Sequence, residues 1–230
     1  MTGDGQAQEQ TSASVRIRVW DLPTRLFHWT LLAAVAVAWW SISSHNLTIH
    51  RTAGAVVAGL IVFRLWWGLF GASTARFSAF LKGPGTVLTY ARGLFAKGSH
   101  TVGHNPMGGW SVAALILVLI STVGFGLFAV DVDGLESGPF ASLVSFEQGR
   151  LASRLHDTSF DALKVLVVLH LAAIAFYAVV KRDNLVRPMV DGRKSVDAAV
   201  EGLKPAPIWA WVVGLTLFVA VTAGLIRLNG

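Results

Sequence analysis

The sequence predicts an all-α fold, an integral membrane helical bundle with a four-helix core and a fifth, C-terminal transmembrane helix. Three observations predict it. Hydrophobic residues make up 53 % of the 230 and charged residues only 14 %, which is too little polar surface to cover a body of this size in water. Five apolar runs, at 26–43, 50–71, 109–130, 162–180 and 207–228, approach the roughly 20 residues that a hydrocarbon core about 30 Å thick requires. Lysine and arginine crowd into alternate connections between these runs, as in a chain that crosses a bilayer back and forth.

The elements follow in order. Residues 1–14 are polar and lack a basic start followed by an apolar core, so they read as a disordered tail and not as a cleaved signal peptide. The flank before the first run carries Arg16, Arg18 and Arg25, and the run itself holds His28 near its start. A short connection with His45 leads to the second run, which opens on His50 and Arg51 and has Gly54 one turn later. Arg76, Lys82, Arg92 and Lys97 mark the next connection. Within it Pro84 opens a short amphipathic helix through Tyr90 to Phe95, either lying on lipid or walling a quinone pocket. GHNPMGG, with His104, is a turn into the third run; its histidine is either turn structure or a polar lining for a bound ligand's headgroup or carboxylate.

The third-to-fourth connection is acidic, with Asp131, Asp133, Glu136 and Glu147 against Arg150 and Arg154. No proline falls between Phe140 and Arg187, and Leu151, Leu155, Ala162, Leu166 and Leu169 keep a helical stripe, so one helix is expected through both His156 and His170. Lys181, Arg182, Arg187, Arg193, Lys194 and Lys204 precede the last run. Three units result: a tail at 1–14, a transmembrane domain at 15–195, and a linker with the additional helix at 196–230.

The positive connections are expected in the cytoplasm, with the chain multi-pass in the membrane, its N-terminus cytoplasmic and the acidic connection outside. The net charge of +6 is then topology, and no motif supports nucleic-acid binding. Trp29, Trp66, Trp67, Trp110, Trp209 and Trp211 are expected near inner ends and Trp39 and Trp40 near an outer end, with packing inside the bundle as the competing role.

An ionisable side chain in a membrane helix costs about 2.5–3.5 kcal/mol at its centre when charged and is read as functional. The alternating directions of the helices put His28 and His170 at one level and His50 and His156 at the other. Fourteen residues separate His156 from His170, a rise of about 21 Å and a rotation within about 40° of whole turns, so one helix can present two ligands on one face. Each histidine alone could be a hydrogen-bonded packing residue; four in two levels point to two metals. His45, five residues before His50, is the rival ligand.

Cysteine is absent, which removes thiolate zinc, iron–sulfur clusters and covalent haem attachment, and leaves two non-covalent haem b groups held by paired imidazoles. Arg25, Arg51 and Arg64 are the candidate partners for haem propionates, since a guanidinium forks onto a carboxylate. For Arg64 the alternative is snorkelling to headgroups.

The stretches VWDLPTRLFHW, HRTAGAVVAGLIVFRLWWGLFG, ARFSAF, GHNPMGGWS, HDTSFDALKVLVVLH and NLVRPMVDGRK resemble the bacterial cytochrome b561 superfamily, and more narrowly the cytochrome b subunits of membrane-bound nickel–iron hydrogenases. The likeness covers roughly residues 19–194. It implies a four-helix bundle with two b haems on His28, His50, His156 and His170, and it does not account for 207–228. It also implies a place in the bacterial inner membrane and transmembrane electron transfer between a periplasmic redox partner, a c-type cytochrome or a hydrogenase, and the membrane quinone pool. Two other readings stay open: a stand-alone membrane oxidoreductase passing electrons from superoxide to quinone, and a haem-free channel or transporter that uses the histidines for protons.

Overall fold

The computed structural model describes residues 15–94, 103–133, 136–196 and 201–228. The expected tail at 1–14 lies outside them, as do Phe95, Lys97 and His100. Strand β1, Val15–Arg18, leads into helix α1, Leu22–Ser43, and α2, Leu47–Phe70. A 3-10 turn, Ser73–Ala75, and two short helices, α3 (Phe77–Phe80) and α4 (Pro84–Arg92), precede α5, Pro106–Phe128. Helix α6, Phe146–Val179, is followed by α7 (Val186–Asp191), strand β2 (Arg193–Val196) and α8 (Ile208–Leu228). Five of these helices, α1, α2, α5, α6 and α8, are long and apolar enough to cross a membrane.

Polar caps set where the long helices begin. Asp21, Asn46 and Asn105 each accept a bond from the backbone N–H three residues on, at 3.0, 3.0 and 2.7 Å. Ser145 and Gln148 close a reciprocal capping box at the start of α6. Each such cap is worth about 1 kcal/mol, and together they place the helix starts three to four residues ahead of the apolar runs in α1, α2 and α5.

Helix α6 is the single helix expected through His156 and His170, and it extends furthest beyond its apolar run. It begins 16 residues before the apolar run and extends over 34 residues, about 51 Å, so its first turns stand beyond the hydrocarbon layer. Hydropathy misses this part because Glu147, Gln148, Arg150, Ser153 and Arg154 make it polar. The connection before it folds onto these turns: Arg150 Nη1 and Ser153 Oγ both donate to the Val130 carbonyl, at 3.0 and 2.7 Å. A Cβ on Gly149 would come within 2.3 Å of Val130 Cγ2, so a side chain there would force the two apart.

Helix α2 is the centre of the bundle. It packs on α1 along one side and on α8 along another, while α5 and α6 form a second pair that meets α2 through α5. The α2–α8 seam is close: a Cβ on Gly59 would lie 2.2 Å from Thr222 Oγ1 and 2.8 Å from the Phe218 carbonyl. Trp67 is fully buried beside Ala75 and Ala210, and Trp66 Nε1 donates to the Ala210 carbonyl at 2.9 Å. These two tryptophans pack within the bundle, whereas Trp39 and Trp40 are more than half exposed, as a belt requires. The last helix is therefore an integral fifth member and not a peripheral one.

The two strands were not expected. Val15–Arg18 pairs antiparallel with Arg193–Val196, joining the start of α1 to the segment after α6. We call this the ribbon end of the bundle and the side of the 129–145 connection the loop end.

Candidate functional site

Both members of the loop-end pair are held from behind. His50 Nδ1 donates to the Ala38 carbonyl of α1 at 2.9 Å, and His156 Nδ1 donates to the Thr122 carbonyl of α5 at 2.7 Å. That bond fixes the tautomer and leaves each Nε2 as the free lone pair. The two ring centres stand 6.0 Å apart with the planes 82° from parallel. A metal–imidazole bond of about 2.0 Å, plus roughly 1.1 Å from nitrogen to ring centre, spans about 3 Å on each side, so these two residues would have room to hold one metal between them. Gly126 lies against the second ring, where a Cβ would come within 2.9 Å of His156 Nδ1, and Gly54 has open space beside it.

Among the described residues no group of three or more His, Asp or Glu is placed to hold a bare ion. Two facing imidazoles alone suit a metal that brings its own equatorial ligands, as haem does. Helix α6 is not packed backbone to backbone along α1 or α2, which leaves width for a flat group between the ligand-bearing helices.

The ribbon-end level is built differently. His28 and His170 lie close enough to interact electrostatically. His104 joins them, with its ring 4.7 Å from those of Trp20 and Phe80. Burial pushes the His104 pKa down to about 3, and Arg64, His170 and His28 add to the shift. The Nδ1 atoms of His28 and His104 are buried with no hydrogen-bond partner among the described residues. Between the levels, Val57 and Ile61 of α2, Leu119 of α5 and Leu163 of α6 form an aliphatic layer, flanked by Phe160.

The three arginines go to three kinds of place. Arg25 donates from Nη1 to the Val190 carbonyl, and its buried Nε has no acceptor among the described residues. Arg51 is half-buried beside His50. Arg64 is buried, not snorkelled: Nη1 donates to the Ala75 carbonyl at 3.2 Å, and the guanidinium lies over Phe77 and Phe80 at 4.9 and 5.8 Å. His45 lies in a left-handed turn with φ of 53° between α1 and α2.

Sequence reasoning missed one polar cluster at this end. The hydroxyls of Tyr90 and Tyr177 share a hydrogen bond of 2.8 Å, and Asn105 Nδ2 donates to Tyr177 at 2.7 Å. These bonds dock α4 onto α5 and α6, so α4 does not simply float on lipid. The signal available in the sequence was one tyrosine in the short amphipathic helix and one near the end of an apolar run, which carries no pairing information.

Five apolar helices and two pairs of neighbouring histidines define a multi-pass membrane protein whose donor set suits a non-covalent haem. Residues 19–192 match the family described as prokaryotic cytochrome b561, and the chain belongs to that family. It is therefore a membrane b-type cytochrome, built for electron transfer. It is also similar to a protein of Azotobacter chroococcum mcd 1 described as a probable Ni/Fe-hydrogenase B-type cytochrome subunit, with 25 % identity over 83 % of this chain and 92 % of that one. No solved structure matches the chain. Helix α8 lies beyond the family match.

Proposed function

We propose that the domain at 15–195 holds two b haems, one between His50 and His156 and one between His28 and His170, and conducts electrons across the membrane. The observation that carries this reading is the pair of imidazoles 6.0 Å apart, each with Nδ1 committed to a carbonyl and Nε2 free. Haem b, when bound, supplies a reversible one-electron couple, and two imidazoles leave no open position for oxygen or substrate. Everything else is the work of the chain.

The Ala38 and Thr122 carbonyls orient the loop-end ligands and raise their basicity. Arg25 Nε and Arg51 are the donors a propionate would take. Arg64 keeps a positive charge inside the ribbon-end level. The aliphatic layer around Leu163 excludes water between the two sites, so that an electron and not a proton is passed along the bundle.

In this reading the ribbon end faces the cytoplasm and the acidic connection the periplasm of a bacterial inner membrane, which the positive flanks support. A hydrogenase is the favoured electron partner, through the similarity to the Azotobacter subunit, and a c-type cytochrome is the other. The membrane quinone pool closes the circuit at the ribbon end.

Haem stoichiometry in histidine variants tests the reading. Purified protein should contain two haems per chain, both low-spin and extractable by acidified solvent. His50→Ala and His156→Ala should each lose the same one, and His28→Ala and His170→Ala the other. A single haem in the wild type, or loss of both on every substitution, would overturn the two-site arrangement.

A further inference from the structure

A cavity of about 270 Å³ opens at the ribbon end, between the β1–β2 ribbon and the turn that follows α6. Five cationic side chains line it, Arg16, Arg182, Arg187, Arg193 and Lys194, against one carboxylate, Asp183. That carboxylate is taken by Lys194 at 2.7 Å. Asp191, just outside, is shared by Arg16 at 3.0 Å and Arg187 at 3.4 Å. Its carboxyl is held below the usual range by the Arg193 backbone N–H, with Arg16 and Arg187 adding to the effect. Arg182 and Arg193 have no carboxylate partner among the described residues.

Two uncommitted guanidiniums and three shared cations around one cavity form an anion site, and their planar forks suit phosphate oxygens. The surroundings select the source of the phosphate. Val179, Val180, Val186 and Val190 stand beside the basic residues at the end of α6 and on α7, with exposures of 76, 56, 46 and 59 %. A soluble anion gains nothing from such a surface, whereas acyl chains running down from a headgroup would cover it. Trp29, half exposed and bonded through Nε1 to the Met189 carbonyl at 3.1 Å, marks the membrane–water boundary at the same level.

We propose that this pocket binds the phosphodiester headgroup of an anionic phospholipid from the leaflet at the ribbon end, with Arg182 and Arg193 as its principal contacts. The site is separate from both histidine levels and does not depend on how many haems the chain holds. Lipid occupying it would bridge the end of α6 to the ribbon.

Native mass spectrometry of the full-length haem-loaded protein tests this, with phosphatidylglycerol and phosphatidylcholine of identical chains as probes. Wild type should retain phosphatidylglycerol at least about ten-fold better. Each cation removed near an anionic headgroup should weaken retention on the order of five-fold at low salt, so Arg182→Asn with Arg193→Gln should abolish the preference. Asparagine suits position 182 because the backbone there has φ of 55°, a left-handed conformation it tolerates well. Haem content of the same samples checks folding, and Arg182→Lys, which keeps the charge, should retain most of the preference. Equal retention of the two lipids by wild type, or an unchanged preference in the double variant, overturns the proposal. Displacement of the lipid by millimolar inorganic phosphate would assign the pocket to a free anion and overturn the lipid assignment.

Discussion

The two histidine levels differ in what stands behind the imidazoles. At the loop end both rings are pinned through Nδ1 to carbonyls of neighbouring helices. At the ribbon end the buried Nδ1 atoms of His28 and His104 find no acceptor among the described residues, and a buried guanidinium lies nearby. The first level is oriented before anything binds. The second is shaped by aromatic packing and charge, and its polar atoms are left for whatever occupies it. The two candidate sites therefore offer the same imidazole chemistry in two electrostatic settings, so two haems held as proposed would differ in potential.

The largest expected effect breaks the pinned level alone. Gly126→Val sets a side chain against the His156 ring, which already sits where a Cβ would be 2.9 Å from Nδ1 and 3.0 Å from Cε1. Haem-to-protein ratio should fall from two toward one, with the ribbon-end haem retained. Gly124, where a Cβ meets nothing within 4 Å, should accept alanine with no change in haem content. Equal losses from both glycines would show that the ring's position is not what matters.

A smaller effect sharpens the electrostatic contrast. Arg64 is 4 % exposed, so its charge acts through a poorly screening medium, and Arg64→Gln should lower the ribbon-end potential by roughly 50–100 mV. Arg51 is half-buried near the membrane surface, and Arg51→Gln should move the loop-end potential by no more than about a third of that. Spectroelectrochemical titration reads both, and equal shifts would remove burial as the distinction.

The smallest concerns His104. Its folded pKa of about 3 lies below the ordinary 6.5, so between those values the unfolded chain carries a proton that the folded chain refuses. Stability is thus undiminished above pH 6.5 and falls as pH drops from there toward 3. In His104→Asn the loss between pH 7 and 5, followed by thermal unfolding, should be shallower than in wild type by up to one proton. An identical slope would place the titration elsewhere.

The bundle was legible because its signals are local. Apolar runs marked the spans of α1, α2, α5 and α8 to within a few residues, and the unbroken stripe from Leu151 to Leu169 foretold a single helix through His156 and His170. What escaped was long-range or polar. The ribbon pairs VRIR with RKSV, two short charged segments whose partnership across more than 170 residues no periodicity can announce. Arg64 looked like a choice between lipid headgroups and a propionate; its stacking on Phe77 and Phe80 needed the fold of the connection that follows α2. The level of each candidate ligand could be read from helix direction, but the carbonyls that orient His50 and His156 belong to other helices.

The ribbon also sets an order of manufacture. Helices α1 and α6 do not pack along one another, so the alignment of His28 with His170 depends on the pairing of Val15–Arg18 with Arg193–Val196 and on the bonds of Arg25 and Trp29 to the carbonyls of Val190 and Met189. The ribosome makes the first of these strands before α1 and the second only after α6 is finished. Until then α1 waits in the bilayer with half of the proposed ribbon-end site, while the carbonyl behind His50 is supplied as soon as α1 and α2 have formed their hairpin. Cofactor loading at the ribbon end is in this sense the closing step of biogenesis, and a chain arrested before residue 193 would be a membrane protein with one site ready and the other unmade.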